Sequence, residues 1–91
     1  MPITFHLPSV LAAHVGGTRA LEADGTTVGG AVDDLVSRHP QLLKRLKDAD
    51  GAPYPFVTFY LNDDDVRLVG GFDAPTSDGD EVTIVPAVAG G

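Results

Sequence analysis

The residues of this sequence best suited to a chemical role are its last ones. Ala87-Val88-Ala89-Gly90-Gly91 is a run of small side chains closing on a diglycine, which sets an unhindered α-carboxylate at the tip of a narrow arm. A carboxylate acylates poorly at neutral pH because its leaving group is oxide-like, so chemistry at Gly91 requires activation from outside the chain. Terminal glycines are also common as plain flexible chain, and the residues before them must decide between the two. Other candidate groups fall short. The sequence has no Cys, which excludes a disulfide scaffold, a thiolate metal site and a cysteine nucleophile within it. His6, His14 and His39 are scattered, with no Ser or second acid at a telling spacing. Gly29-Gly30 lacks the Lys of a phosphate-binding loop and the third glycine of a dinucleotide fingerprint. Asp63-Asp64-Asp65 lacks the Gly and the bidentate Glu that a calcium loop requires at its sixth and twelfth positions.

The elements that must position the tail are legible from periodicity. Asp78-Gly79-Asp80 is turn chemistry, and after it Val82 and Ile84 alternate with Glu81 and Thr83 as a half-buried strand. Pro86 has no N–H to donate and is expected to stop the ladder, leaving Ala87 to Gly91 mobile and exposed. At the other end of the chain, Ile3, Phe5 and Leu7 alternate with Thr4 and His6, and Pro8 closes that strand. His14 to Gly17 reads as a loop, and Arg19, Leu21 and Ala23 as a second strand in a hairpin with a long connection. After the Asp24-Gly25 turn, Thr26 or Thr27 can cap a helix. Val28, Val32, Leu35 and Val36 share one face of it, and Asp33, Asp34 and Arg38 point to water. Pro40 ends it. Leu42, Leu43 and Leu46 predict a short further turn of helix, Asp48 to Pro53 an exposed loop, and Phe56 to Leu61 the strongest strand. Asn62 to Asp65 is expected to turn the chain, with a short return strand from Val66 to Leu68 before Gly70-Gly71 and an irregular stretch through Pro75. Strand, strand, helix, strand, short strand, strand is an α+β arrangement, one helix layered on one sheet.

Composition narrows the function. At 91 residues there is room for one core only. Six Lys and Arg against 13 Asp and Glu give a net charge of −7, which repels phosphate backbones and anionic lipid alike. Nucleic acid and membranes are therefore not expected partners. No apolar run reaches the length of a membrane span, the N-terminus lacks the pattern of a signal peptide, and a cytoplasmic location is expected.

An acidic turn, an alternating strand, a proline and a small-residue tail ending in Gly-Gly together resemble the end of the ubiquitin-like sulfur carriers of the MoaD/ThiS/CysO family. Asp78 to Gly91 is most similar to the CysO type. Phe56-Val57-Thr58-Phe59-Tyr60-Leu61-Asn62-Asp63-Asp64-Asp65-Val66-Arg67 resembles the central strand and acidic hairpin turn of the same subgroup. The resemblance covers essentially the whole chain and is strongest from Phe56 onward. It implies a β-grasp (ubiquitin-like) fold: a mixed sheet covered on one face by one main helix, with the first and last strands as parallel neighbours. A domain of residues 1–86 would then carry a flexible C-terminal diglycine tail, residues 87–91.

The resemblance implies a chemistry as well. An E1-like adenylating and sulfurating enzyme uses ATP to convert the Gly91 carboxylate to an acyl-adenylate, and a sulfur source displaces AMP to leave a thiocarboxylate. The chain is then a co-substrate and not an enzyme, with no metal or cofactor of its own, and Gly90 lets the tail thread a narrow channel. The sulfur would pass to an acceptor enzyme, either cysteine synthase-like or a sulfur-inserting enzyme of secondary metabolism. Three other roles stay open: a covalent protein modifier joined through Gly91 to lysines, the small subunit of molybdopterin synthase, and a passive binding domain.

A second recognition element follows from strand register. If Phe5, Val57, Phe59 and Ile84 face the core, then Phe56, Tyr60 and Val85 project from the opposite face beside His6, Thr58 and Thr83. An apolar patch rimmed by polar groups is the usual form of a docking site. Partner binding is accordingly assigned to Phe56, Tyr60 and Val85 and to the tail residues Ala87, Val88 and Ala89, with the acidic background steering the domain toward a basic activating enzyme.

Overall fold

Alternation builds the sheet. In Ile3-Thr4-Phe5-His6 every second side chain is buried, and the same holds for Val82 and Ile84 against Glu81, Thr83 and Val85. In the computed structural model, which describes residues 2–47, 50 and 57–86, these segments become β1 (Ile3–His6) and β5 (Glu81–Pro86). They join β2 (Ala20–Ala23), β3 (Val57–Leu61) and β4 (Asp64–Asp65) in the order β2-β1-β5-β3-β4. β1 and β5 run parallel, with Phe5 opposite Val82, and the remaining pairs are antiparallel. β5 therefore lies at the centre of the sheet, and Pro86, opposite Val57, is its last residue. The expected β-grasp arrangement is the one observed.

The main helix, α2 (Val28–Arg38), covers one face. Thr27 is its N-cap, its side-chain oxygen accepting from the Gly30 N–H at 3.0 Å. Val28, Ala31, Val32 and Leu35 are buried against the sheet, and the chain leaves the helix at His39, before Pro40. A 3₁₀ turn, Pro40–Leu42, and the short α3 (Leu43–Leu46) then bury Leu42 and Leu46 and leave Leu43 outward. Phe5, Phe59, Ile84, Val82 and Leu35 sit at the centre of the core, and the Phe59 ring meets Phe72 edge-on at 5.3 Å.

Two segments depart from the sequence reading. The connection between the first two strands contains α1 (Ser9–Ala12) and a 3₁₀ turn, Ala13–Val15, ahead of Gly16-Gly17. Leu11 and Ala12 are buried, so this link is part of the core and not an open loop. The return strand is not Val66–Leu68 but Asp64–Asp65, because only Asn62 and Asp63 form the turn. Asn62 takes a left-handed φ of 55°, and Asp64 and Asp65 already pair with Leu61 and Tyr60. Val66–Leu68 is a 3₁₀ turn, capped by the Asp65 side chain, which accepts from the Arg67 N–H at 2.9 Å. A further 3₁₀ turn, Gly71–Asp73, lies in the stretch read as irregular.

Gly25 and Gly29 are packing glycines. A Cβ on Gly25 would meet the backbone of Ala31, its Cα at 2.7 Å, and one on Gly29 would lie 2.9 Å from the Phe72 Cβ. Both hold α2 close to its neighbours. Gly25→Ala should therefore cost about 1–3 kcal/mol of stability through overpacking against rigid backbone. Thr27→Ala should cost about 1 kcal/mol through loss of the cap. Urea denaturation of the two variants checks both, and a Gly25 variant as stable as the parent would contradict the contact.

Candidate functional site

The sequence reading assigns partner binding to the uncovered face of the sheet and to the residues after β5. Because β1 and β5 are parallel and in register, and β3 is antiparallel to β5, one row of side chains crosses the whole sheet. Ala20, His6, Thr83, Tyr60 and Asp65 are each paired with the next. Beside this row Thr58 is opposite Val85, which brings Val85 diagonal to Tyr60, within reach of an aromatic side chain. Val85 is 41% exposed and Tyr60 half-buried. The expected register is therefore observed: Phe5, Phe59 and Ile84 face the core, Val57 is partly buried against it, and Tyr60 and Val85 share the outer face with His6, Thr58 and Thr83. Phe56, the third residue assigned to the patch, lies outside the described residues. So do the tail residues Ala87, Val88, Ala89, Gly90 and Gly91.

This face is more polar than the sequence suggests. His6 Nε2 lies 2.6 Å from Glu81 Oε1 across the parallel pair. At the far edge Arg67 donates through Nη2 to Asp65 at 2.6 Å and through Nε to both carboxylate oxygens at 3.1 and 3.2 Å. The Arg67 side-chain hydrogen bonds, helped by its backbone N–H, hold the Asp65 carboxyl below the usual carboxylate range. Asp65 therefore keeps its charge to lower pH than an unpaired carboxylate, and the pair with it. Neither pair was visible in the sequence. Period two places Glu81 on the outer face, but only the parallel register brings it to His6, and the fork needs the 3₁₀ turn after Asp65.

Asn62 fixes the end of the face opposite the tail. Its N–H donates to the Glu81 carbonyl at 2.7 Å, its side-chain oxygen accepts from the Glu81 N–H at 3.1 Å, and its amide nitrogen donates to Asp80 at 3.3 Å. Asp80 in turn accepts from the Ser77 N–H at 2.8 Å, closing the turn through Gly79, whose φ is +84°. A shallow depression lined by His6, Asn62, Asp63, Glu81 and Thr83 lies there. His14 and His39 stand elsewhere, on the Ala13–Val15 turn and at the C-cap of α2, so the three histidines form no joint site. Among the described residues no group of acids and histidines could hold a metal ion, and no helix is long and apolar enough to cross a membrane.

The ThiS family model matches residues 7–91. The chain belongs to the ThiS family. Within this family it is 42% identical to the sulfur carrier protein CysO of Mycobacterium tuberculosis, over the full length of both. It superposes with a TM-score of 0.88 and 44% identity on CysO from the Amycolatopsis orientalis BexX/CysO complex, covering 98% of this chain and 99% of that one. Another similar structure is the small archaeal modifier SAMP1 of Haloferax volcanii, with a TM-score of 0.84, 31% identity and full coverage of both chains. The ThiS family likeness is thus to the CysO type, and it extends through the diglycine.

Tyr60 is the outer-face residue whose substitution best separates docking from folding. Tyr60→Asp sets a charge between Thr83 and the Arg67-paired Asp65 without touching the core, so the melting temperature should fall by only a few degrees. Capture by an activating enzyme should weaken about tenfold or more. Calorimetric binding alongside thermal melting distinguishes the outcomes, and native affinity in a folded variant would remove Tyr60 from the interface.

Proposed function

We infer that this chain is a sulfur carrier protein of the CysO type, acting as a protein co-substrate and not as an enzyme. The observation that carries the reading is the full-length likeness to CysO, which includes the terminal Gly-Gly. The Gly91 carboxylate attacks the α-phosphate of ATP on an E1-like enzyme, releasing pyrophosphate and forming an acyl-adenylate. A sulfur donor then displaces AMP and leaves a thiocarboxylate. Adenylation turns an oxide-like leaving group into a phosphate ester anion, which splits one hard substitution into two easier ones. ATP belongs to the activating enzyme, and this chain supplies only the nucleophile and then the carrier atom.

This reading divides the labour within the chain. The domain presents Tyr60 and Val85 for docking, and the tail, Ala87, Val88 and Ala89, threads the partner's channel. Gly90 leaves the backbone beside the reacting carbon unencumbered. The sulfur acceptor is a biosynthetic enzyme, cysteine synthase-like or one that inserts sulfur into another metabolite. The BexX complex of the Amycolatopsis relative supports an acceptor of that general kind. A second reading, covalent modification of target lysines through Gly91, is favoured by the likeness to SAMP1. Both begin with adenylation and they part afterwards, one accumulating sulfur at the terminus and the other conjugates of higher mass.

Incubation with a family activating enzyme, ATP and a sulfide source should replace one oxygen of the Gly91 carboxylate by sulfur, read directly from the intact mass. Gly90→Val should slow that conversion about tenfold or more with the melting temperature unchanged, because a β-branched residue stiffens and widens the tail where a channel must accept it. Unmodified mass with an enzyme active on its own carrier would count against the carrier reading, and accumulation of lysine-linked conjugates would favour the modifier.

A further inference from the structure

The reach of the tail decides which surface a partner must touch. Five residues follow Pro86, and fully extended they span at most about 17 Å. Any enzyme that acts on Gly91 is thereby held against the end of the molecule where β5 stops, whatever else it contacts. Because β1 is parallel to β5, the chain leaves β1 at that same end, and α1 follows there directly. The Ala13–Val15 turn after α1 packs against the Pro40–Leu42 turn, which runs straight into α3. Pro86 thus closes β5 at the end of the sheet from which the chain enters α1, and the Pro40–Leu42 turn with α3 continues outward from the turn after α1.

These two helices carry exposed apolar and basic side chains. Of the five large apolar residues that stand exposed among the described ones, Val10 on α1, Leu43 on α3 and Val85 on β5, at 60%, 47% and 41% exposure, belong to these helices and to the end of β5, while Leu68 and Val69, at 84% and 41%, lie on and just after the Val66–Leu68 turn. Charge is distributed unevenly too. Four of the six basic residues, Arg38, Lys44, Arg45 and Lys47, fall within ten positions. Arg38 is paired with Asp24 and Asp34, and Lys47 with Asp33. Lys44 and Arg45 are exposed, with no ion pair among the described residues. The acidic residues Asp63, Asp64, Asp80 and Glu81 collect at the opposite end, on the β3–β4 turn and the start of β5. An otherwise acidic domain therefore turns a cationic, partly apolar end toward whatever receives its tail.

We propose that Val10, Leu43, Lys44, Arg45 and Val85 form a collar around the tail's exit that docks the acceptor enzyme, and that this enzyme carries carboxylates flanking an apolar seat at the mouth of its tail channel. The inference rests on the carrier reading and names the surface and partner chemistry that reading needs. The two charges orient the approach and fix the rotational setting of the domain, while the apolar side chains supply the desolvated contact at its centre. With the acidic end trailing, only one orientation brings unlike charges together and the tail into line with the channel.

The test uses the full chain with BexX of Amycolatopsis orientalis as the probe. Calorimetric titration compares the parent with Lys44→Glu/Arg45→Glu, Lys44→Gln/Arg45→Gln and Leu43→Ser. Charge reversal should weaken binding about tenfold at low salt, and the neutral pair by less in the same direction. Both losses should shrink as salt rises toward about 0.5 M, where exposed charges are screened. Leu43→Ser should weaken binding about equally at all salt concentrations. Thermal melting should be unchanged in all three, since each side chain is exposed. Native affinity in the charge variants, or a loss indifferent to salt, would overturn the collar. A parent chain that forms the thiocarboxylate yet shows no affinity for BexX would overturn its acceptor assignment while leaving the carrier reading intact. A parent that forms no thiocarboxylate would fail that reading itself.

Discussion

The pairing of β5 between β1 and β3 is the constraint on which the rest of the molecule depends. A central strand is hydrogen-bonded along both edges, and here its inward side chains, Val82 and Ile84, are buried against Phe5 and Phe59. Slipping by one residue would turn both outward and bring Thr83 into the core, so the register is strongly specified. That fixes where Pro86 stands and hence where the reactive arm departs. The parallel sense of the β1–β5 pair fixes what surrounds the departure point, because the chain leaving β1 comes out on the same side. A carrier needs its terminus delivered from a defined position on a stable body, and the buried centre of the sheet is a physically secure origin for it.

The two ends of β5 then have different duties. At its start, Asn62 and Asp80 tie the β3–β4 turn to the strand through a set of short-range hydrogen bonds, using the tolerance of Asn for left-handed backbone so that one residue makes both the turn and the tie. At its finish, proline closes the strand and the small residues begin. The outer face between these ends is neither bare nor uniformly apolar. His6–Glu81 and Asp65–Arg67 occupy the row on either side of Tyr60, so a partner that docks there must match charges as well as cover the ring. Such a face gains selectivity from its polar groups and binding energy from its few apolar ones.

Where local pattern and tertiary contacts agreed, the sequence was enough to foretell the structure. The four-residue spacing of Val28 and Val32, the threonine before them and Pro40 after them determine α2 almost without reference to the rest. The alternation in β1, β3 and β5 settles which side chains face inward. The misreadings fall where segments are too short for periodicity to speak. Ser9–Ala12 is a single turn whose helical state comes from burying Leu11 and Ala12, and the sequence reading assigned it no element within the long connection, only His14 to Gly17 being read as a loop. Val66-Arg67-Leu68 alternates like a strand, but the Asp65 side chain takes up the Arg67 N–H and winds the backbone into a 3₁₀ turn. Strand order, and with it the His6–Glu81 contact and the strands that flank β5, was beyond periodicity altogether. The family resemblance supplied the parallel pairing, and the chemistry of Gly91 comes from the same source.

The central claim is that the chemistry resides in a terminus separable from the body that presents it. Removing Gly90 and Gly91 and measuring ATP–pyrophosphate exchange with the activating enzyme, together with thermal melting of the same preparation, tests it most directly. The melting temperature should equal that of the parent, because the β3–β5 ladder ends at Pro86, and exchange should fall to background. Exchange that survives the truncation, or a melting temperature that falls by many degrees, would contradict it.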